Sequence, residues 1–275
     1  MNPDARIDAL LERLAALPSL AVAFSGGADS ALVLAAAVRA LGTGRVLAVT
    51  AVSDSLAAEE RDTALRFAAS LGVSHLLPAT AETANPGYRA NGRDRCYFCK
   101  SEVLDVIGRV AGEHGFAHVA TGTNADDAVD PFRPGIRAAD ERGVIAPLRD
   151  AGMTKAEVRR TARAWGLAVW DKPAAPCLAS RIAYGVEVTP ARLHRVETAE
   201  RAVRRLLARA GLLVTDLRVR DLGDRVRVEL DAGLTSRAAA LAGLVPAVRE
   251  AGFPGAEVEV SAFRSGALNI EPLRP

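Results

Sequence analysis

The sequence predicts an α/β fold with a parallel sheet, followed by a smaller C-terminal α+β domain. Short apolar runs that suit buried strands alternate with longer segments of helical period between residues 4 and 123. This order implies parallel strands joined by right-handed crossovers. After about residue 186 the pattern changes to alternating strands around a tight turn. A length of 275 residues also favours two domains.

The N-terminal domain is predicted to cover residues 1–185. Its first helix is amphipathic, and glycines end the second and the third helix. The expected helices are 4–17, 31–42, 56–72, 101–115 and 153–166, the last with Thr154 as its N-cap. The expected strands are 20–24, 45–53, 74–80 and 117–123. The polar stretches 85–99, 124–150 and 171–185 are predicted as loops.

The C-terminal domain is predicted to cover residues 186–275. The expected elements are a helix at 190–210, two strands within 212–231 around a turn at 222–224, a helix at 234–251 and a strand at 256–263. Arg218 and Arg220 alternate with apolar residues along the first of these strands. Both arginines should therefore lie on one face of that strand.

Composition and charge exclude several classes of protein. Hydrophobic residues make up 49% and charged residues 25%, as in an ordinary soluble domain, and no run reaches the about 18 apolar residues of a membrane span. The N-terminus lacks a signal-peptide layout, so we expect a cytoplasmic protein. A net charge of +2 does not favour a dedicated nucleic-acid binder. Lysine occurs only three times, and we attribute the excess of arginine to a GC-rich genome.

The sharpest local motif is AVAFSGGADSALVLAAA, residues 21–37. Ser25, Gly26 and Gly27 turn the chain from a buried strand into a helix, where backbone N–H groups and the hydroxyls of Ser25 and Ser30 can bind phosphate. The loop lacks the lysine of a Walker A motif. It resembles the PP-loop of ATP pyrophosphatases of the adenine nucleotide alpha hydrolase-like fold. Asp29 could bind Mg²⁺ of the nucleotide, cap the helix, or do both.

Three cysteines form the second candidate site. Cys96 and Cys99 make a CxxC pair, and Cys177 follows in a proline-bounded loop. They could be three unrelated packed thiols or three ligands of a metal site. A structural zinc usually needs four protein ligands, and no histidine clearly completes the set. Three thiolates with a vacant fourth position suit a [4Fe–4S] cluster that takes an external ligand.

Longer motifs resemble the LarE family nearly from end to end. They are SGGADS, NGRDRCYFCK (91–100), TGTNADDAVDPFRPG (121–135), GMTKAEVRRTARAWGL (152–167) and KPAAPCLASRIAYG (172–185). LarE proteins are ATP-dependent sulfur transferases that mature the nickel-pincer nucleotide cofactor of lactate racemase. The resemblance implies that ATP, with Mg²⁺, adenylates a carboxylate of pyridinium-3,5-biscarboxylic acid mononucleotide and that sulfur then displaces AMP. It also implies a homo-oligomer, in the family a hexamer.

The resemblance assigns roles to individual residues. Cys177 corresponds to the family's sulfur carrier, which in one branch gives up its own sulfur and becomes dehydroalanine. In another branch a CxxC pair joins it to hold a [4Fe–4S] cluster, and the presence of Cys96 and Cys99 favours that branch here. Arg218 and Arg220 correspond to an Arg-x-Arg that binds substrate phosphate; the alternative is a solvated strand face paired with acids such as Glu229.

Other site residues are predicted from their position. Asp126, Asp127, Asp130 and Arg133 follow the end of a strand, where ligands sit in open α/β sheets, and could contact Mg²⁺, ribose or nothing but solvent. Ser180 and Arg181 flank the sulfur carrier; Arg181 could offset charge on the acyl-adenylate or form a loop salt bridge. Tyr97 could stack on the pyridinium ring, although core packing is the simpler role.

Other functions remain open from the sequence. A PP-loop tRNA thiolase shares the ATP loop and sometimes a three-cysteine cluster, but the near-neutral charge disfavours an RNA substrate. An amide-forming synthetase of the same superfamily would not need the cysteines. A nucleotide-binding protein with a zinc CxxC site is the alternative outside enzymology. For the sulfur transferase, we expect the glycine turn and the three cysteines to converge on a shared cavity.

Overall fold

The computed structural model describes residues 3–129, 133–173, 175–264 and 266. The chain forms two compact units: unit 1 comprises Met1–Glu82 and Cys96–Ala175, and unit 2 comprises Thr83–Arg95 and Pro176–Pro275. The functional division after residue 185 that the sequence suggests stays a prediction. Among the described helices, none is long and apolar enough to cross a membrane.

Unit 1 contains a four-stranded parallel sheet. The strands are β1 (Leu20–Ala23), β2 (Val46–Val49), β3 (Ser74–Leu76) and β4 (Val119–Ala120), in the order β3-β2-β1-β4. Leu20 of the central strand β1 lies opposite Val46, and Ala21 lies opposite Val119. β1 and β2 are buried along almost their whole length because they consist of small and branched apolar residues. Their carboxyl ends point to one edge of the sheet, which is where a ligand site is expected.

Helices cover this sheet. The helices of unit 1 are α1 (Pro3–Ala15), α2 (Ala28–Leu41), α3 (Ala58–Ser70), α5 (Arg95–Glu113), α6 (Ala125–Ala128), α7 (Pro134–Asp140), α8 (Pro147–Asp150) and α9 (Lys155–Ala164). The short helix α4 (Pro86–Arg89) belongs to unit 2. The helix α2 is apolar on nearly every side, and ten of its residues are buried. It is therefore the centre of the unit 1 core, with Leu10 and Leu14 of α1 packed in the same cluster.

Unit 2 contains a three-stranded sheet. A hairpin joins β5 (Leu217–Asp221) to the antiparallel β6 (Arg225–Leu230), and β7 (Glu257–Ala262) runs parallel to β6. Its longer helices are α10 (Pro190–Arg209), α11 (Thr235–Ala239) and α12 (Leu244–Glu250). Leu193, Val196, Ala199 and Val203 recur along one buried face of α10.

The predicted fold class is confirmed, with three local corrections. The helix that we predict from residue 101 begins at Arg95, so both cysteines of the CxxC pair are helical. The predicted loop 124–150 contains the short helices α6, α7 and α8. The single helix predicted over 234–251 is two helices, and the second begins after Gly243, a residue type that destabilises a helix interior.

Candidate active site

The glycine loop of unit 1 connects β1 to α2. Gly26 has a φ of 72°, in the left-handed region that glycine adopts without strain. Ala64 of α3 lies under it, only 3.3 Å from where a Cβ would sit. Gly27 is the N-cap of α2, and within the described part of the chain no side chain caps this helix end. The first-turn N–H groups and the helix dipole therefore make this helix end suited to bind an anion.

Two serine hydroxyls hold the loop in shape. Ser30 Oγ donates to the carbonyl of Gly27 at 3.1 Å and accepts from the backbone N–H of Ser25 at 3.3 Å. The hydroxyl of Ser25 lies 3.1 Å from Ser30 Oγ, and Ser25 is exposed whereas Ser30 is buried. Ser30 thus acts inside the loop, and Ser25 is the one of the two that solvent reaches.

Asp29 lies in the first turn of α2, where a carboxylate complements the helix dipole. Its side chain forms an ion pair with the ammonium of Lys155, the first residue of α9. The amide Nδ2 of Asn124 donates to the other oxygen of Asp29 at 3.2 Å. A carboxylate beside a phosphate loop is thereby neutralised and oriented from two other segments of the chain.

The segment after β4 crosses the start of α2. Gly122 lies so close that a Cβ there would meet the backbone nitrogen of Ser30 at 2.6 Å. Asn124 then caps α6 and forms a capping box with Asp127. The close approach explains why glycine occupies position 122 and how Asn124 reaches Asp29.

Asp127 and Arg133, both predicted to contact substrate, form an ion pair of 2.6 Å. Asp127 also accepts the backbone N–H of Asn124 at 3.2 Å, and Asp126 accepts that of Lys155 at 2.8 Å. These contacts order the segment after β4, and the substrate contacts stay a prediction. Asp130 lies outside the described residues.

Cys96 and Cys99 lie one turn apart at the start of α5, so both thiols share one side of that helix. Cys96 is exposed and Cys99 is half-buried, with its sulfur 3.8 Å from Oε1 of the buried Glu82. Burial lowers the pKa of the neighbouring Lys100 ammonium, and negative charge on Cys99 opposes that shift. Tyr97 donates its hydroxyl to Glu141 at 2.7 Å.

Cys177 lies in unit 2, with its side chain exposed at the start of a short 3₁₀ turn, Leu178–Arg181. The guanidinium of the buried Arg181 donates to the carbonyls of Pro176 and Cys177, the latter at 3.1 Å, and to Ser180 Oγ at 3.2 Å. Glu200 of α10 accepts from Arg181 Nε at 3.0 Å. Arg181 therefore holds the backbone on both sides of the cysteine. Its ion pair with Glu200 has the form of the loop salt bridge given as one alternative, and its role toward an acyl-adenylate stays a prediction.

Arg218 and Arg220 lie on β5 in the same unit. Arg220 is buried, donates through Nε to Glu229 at 3.0 Å and through Nη1 to the carbonyl of Ser180 at 2.9 Å. Burial and the nearby charge of Arg181 lower the pKa of the half-buried Arg218. Arg220 is thus paired with Glu229, as the alternative to a phosphate role foresaw, and phosphate binding by Arg218 and Arg220 stays a prediction.

The three cysteines have the side-chain chemistry that an iron–sulfur cluster needs, but the described part of the structure does not show a cluster site. All three are thiols, and two of them are exposed. Among the described ranges, no three His, Cys, Asp or Glu side chains are grouped so that they could hold a metal ion. The cluster therefore stays a prediction.

Comparison with known proteins identifies the family. The chain is 31% identical over 261 residues to a pyridinium-3,5-bisthiocarboxylic acid mononucleotide synthase of Lactiplantibacillus plantarum, and the match covers 94% of this chain and 92% of the relative. The chain belongs to the LarE family. This confirms the resemblance to LarE proteins; membership of the three-cysteine branch stays a prediction.

Other relatives of this LarE protein are less informative. An uncharacterized protein of Synechocystis is 40% identical over 269 residues, 97% of each chain. An uncharacterized protein of Methanocaldococcus jannaschii is 24% identical over 175 residues, 64% of this chain and 66% of the relative. No family model matches the chain.

Two lysines of this LarE protein were missed from the sequence. Lys155 binds Asp29, and Lys172 binds the carbonyl of Gly26 at 3.1 Å and Glu60 at 2.8 Å. The signal that could have found them is lysine itself, which occurs only at Lys100, Lys155 and Lys172 in a chain with 35 basic residues. In a chain whose other basic residues are arginines, a lysine marks a position where a compact ammonium group differs in its chemistry from a planar guanidinium.

Proposed function

We propose that this chain is an ATP-dependent sulfur transferase that converts carboxylates of pyridinium-3,5-biscarboxylic acid mononucleotide to thiocarboxylates through an acyl-adenylate. The observation that carries the proposal is the glycine loop at the start of α2, an anion site without a Walker A lysine, in a chain that is 31% identical to a synthase of the corresponding product. The near-neutral charge favours this small nucleotide over RNA as the substrate.

Activation would take place at the loop of unit 1. A substrate carboxylate oxygen attacks the α-phosphorus of ATP, a new O–P bond forms, and the bond to the β-phosphate oxygen breaks. The charge that develops on the leaving pyrophosphate is stabilised by backbone N–H groups of Gly26, Gly27 and the first turn of α2. Mg²⁺ arrives with ATP, and Asp29 offers a carboxylate of the kind that it prefers.

Sulfur transfer is assigned to Cys177. A thiolate or hydrosulfide attacks the acyl carbon, a C–S bond forms and AMP leaves with the carboxylate oxygen. Sulfur is competent at neutral pH, where a hydroxyl is not. Arg181, which binds the carbonyls before and after the sulfur carrier, positions Cys177, and the exposure of its side chain allows attack.

The sulfur has two possible sources. Cys96, Cys99 and Cys177 would hold a [4Fe–4S] cluster, whose open iron would carry sulfide from turnover to turnover. The alternative is that Cys177 gives its own sulfur: the Cβ–S bond of the acyl thioester breaks, the Cα proton is lost, and dehydroalanine remains. Exposure of Cys177 as a single thiol suits this second route equally well.

The two sources are separated by counting turnovers. The protein is reconstituted anaerobically with iron and sulfide and then supplied with ATP and the biscarboxylate nucleotide. More than one thiocarboxylate per chain, with Cys177 of unchanged mass, supports the cluster route. One sulfur per chain with a mass loss at Cys177 supports the sacrificial route. Absence of any thiocarboxylate, with ATP consumed only when tRNA is added, would replace the proposal by a tRNA thiolase.

A further inference from the structure

Lys172 makes two contacts at the glycine loop that the mechanism above does not use. Its ammonium donates to the carbonyl of Gly26 at 3.1 Å and to Oε2 of Glu60 at 2.8 Å. The side chains of Lys172 and Glu60 are only 17% and 22% exposed. A partly buried ammonium held by a carboxylate and aimed at a loop carbonyl is a built arrangement rather than a surface ion pair.

The carbonyl of Gly26 belongs to the same peptide unit as the N–H of Gly27. In a trans peptide these two groups point in opposite directions, and no cis peptide occurs in the described residues. A cation that binds the Gly26 carbonyl therefore fixes the side to which the Gly27 N–H points. This peptide needs such a contact because Gly26, at a φ of 72°, restricts rotation of the peptide unit less than any other residue type would.

Helix α3 supplies the support for this contact. Glu60 and Ala64 are four residues apart and therefore lie on the same side of α3. Ala64 packs beneath Gly26, and Glu60 holds the ammonium that binds the Gly26 carbonyl. The loop is thus fixed from below by a methyl group and from its carbonyl side by Lys172.

We propose that Lys172 is a positioning residue of the phosphate loop, which holds the Gly26–Gly27 peptide with its N–H directed at the polyphosphate of ATP. The proposal rests on the proposed function, since it takes ATP as the ligand of the loop. Lysine suits the task because its three ammonium donors rotate freely and can serve a carbonyl and a carboxylate together, whereas the planar guanidinium of arginine has a fixed geometry.

The experiment compares Lys172→Met with the wild-type full-length protein by calorimetric titration with MgATP, inorganic pyrophosphate and adenosine. We expect Lys172→Met to weaken MgATP and pyrophosphate binding roughly tenfold or more, with adenosine affinity unchanged. Glu60→Gln keeps the shape of the side chain that holds Lys172 but removes its charge. This variant should lose less affinity for MgATP and pyrophosphate than Lys172→Met does, again with adenosine affinity unchanged. Lys172→Arg should restore only part of the MgATP and pyrophosphate affinity, because the planar guanidinium group cannot fit both the Gly26 carbonyl and the Glu60 carboxylate.

Two results would overturn the proposal. Equal pyrophosphate affinity in the wild type and Lys172→Met would show that the loop needs no such support. An equal loss for adenosine and pyrophosphate, together with a lowered melting temperature, would show that Lys172 only stabilises the fold. Failure of the wild type itself to bind MgATP or pyrophosphate would instead contradict the proposed function.

Discussion

The carboxylate of Asp29 and the ammonium of Lys155 form an ion pair beside the glycine loop, although 126 residues separate them in the sequence. Asp29 belongs to α2 and Lys155 begins α9, and the two helices pack together in unit 1. The pair places one negative and one positive charge beside the proposed pyrophosphate site. We therefore expect the balance of these two charges to influence how tightly the loop binds an anion.

Removal of the positive member should weaken anion binding. In Lys155→Met the Asp29 carboxylate loses its counter-ion and repels pyrophosphate when no Mg²⁺ is present, so we expect roughly tenfold weaker binding of Mg²⁺-free pyrophosphate by calorimetry. The double variant Asp29→Asn/Lys155→Met removes both charges and should recover part of that loss. Unchanged binding in the single variant would show that the pair lies too far from the ligand to matter.

Removal of the sulfur carrier should separate the two halves of the reaction. In Cys177→Ala, pyrophosphate release should persist because activation is proposed to take place at the loop of unit 1, whereas thiocarboxylate formation should be abolished. Both products are quantified by chromatography and mass spectrometry, and Cys177→Ser serves as the polar control of similar size. If pyrophosphate release also disappeared in folded protein, the division of roles between loop and cysteine would be wrong.

The close approach at Gly122 predicts a stability effect. Gly122→Ala places a Cβ 2.6 Å from the Ser30 nitrogen, and the displaced backbone should lower the free energy of unfolding by about 1–3 kcal/mol. Gly108→Ala is the matched control, because it lies in α5 with nothing within 4 Å and should stabilise by about 0.5–1 kcal/mol. Denaturant titration measures the free energy of unfolding of both variants. An equal change in the two variants would contradict the close packing at Gly122.

The capping box at the start of α9 predicts a pH dependence. The backbone N–H of Thr154 lowers the pKa of Glu157, and the Thr154 hydroxyl and Arg6 add to that shift. A lowered carboxylate pKa contributes stability above the unfolded value of about 4.3, and this contribution is lost as pH falls through the folded pKa. The stability difference between wild type and Glu157→Gln should therefore be constant above the unfolded pKa of about 4.3 and shrink as the pH falls below it.

The exposed Glu113, which pairs with Arg109 on the surface of α5, provides the control for that titration. Glu113→Gln should show little difference from the wild type at any pH, since exposed ion pairs contribute about 0–1 kcal/mol. Parallel pH curves for Glu157→Gln and the wild type would mean that the capping box is not formed in solution.

The sequence predicts those features that depend on near neighbours. The strand–glycine–helix turn and the N-cap at Thr154 are both confirmed, because each is encoded within a few residues. The start of α5 was misplaced because RDRCYFC has no apolar period before Lys100. Contacts such as Lys155 with Asp29, or Lys172 with Gly26, depend on the packing of distant segments, which periodicity does not encode.

The most direct test of the central claim follows one oxygen atom. The account requires that ATP activates a substrate carboxylate as an acyl-adenylate before sulfur attacks, so a carboxylate oxygen must leave with AMP. The wild-type protein is supplied with ATP and the biscarboxylate nucleotide labelled with heavy oxygen in its carboxylates, and AMP is isolated for mass spectrometry. We predict one heavy oxygen in each AMP; heavy oxygen found in orthophosphate or pyrophosphate, with unlabelled AMP, would contradict the account.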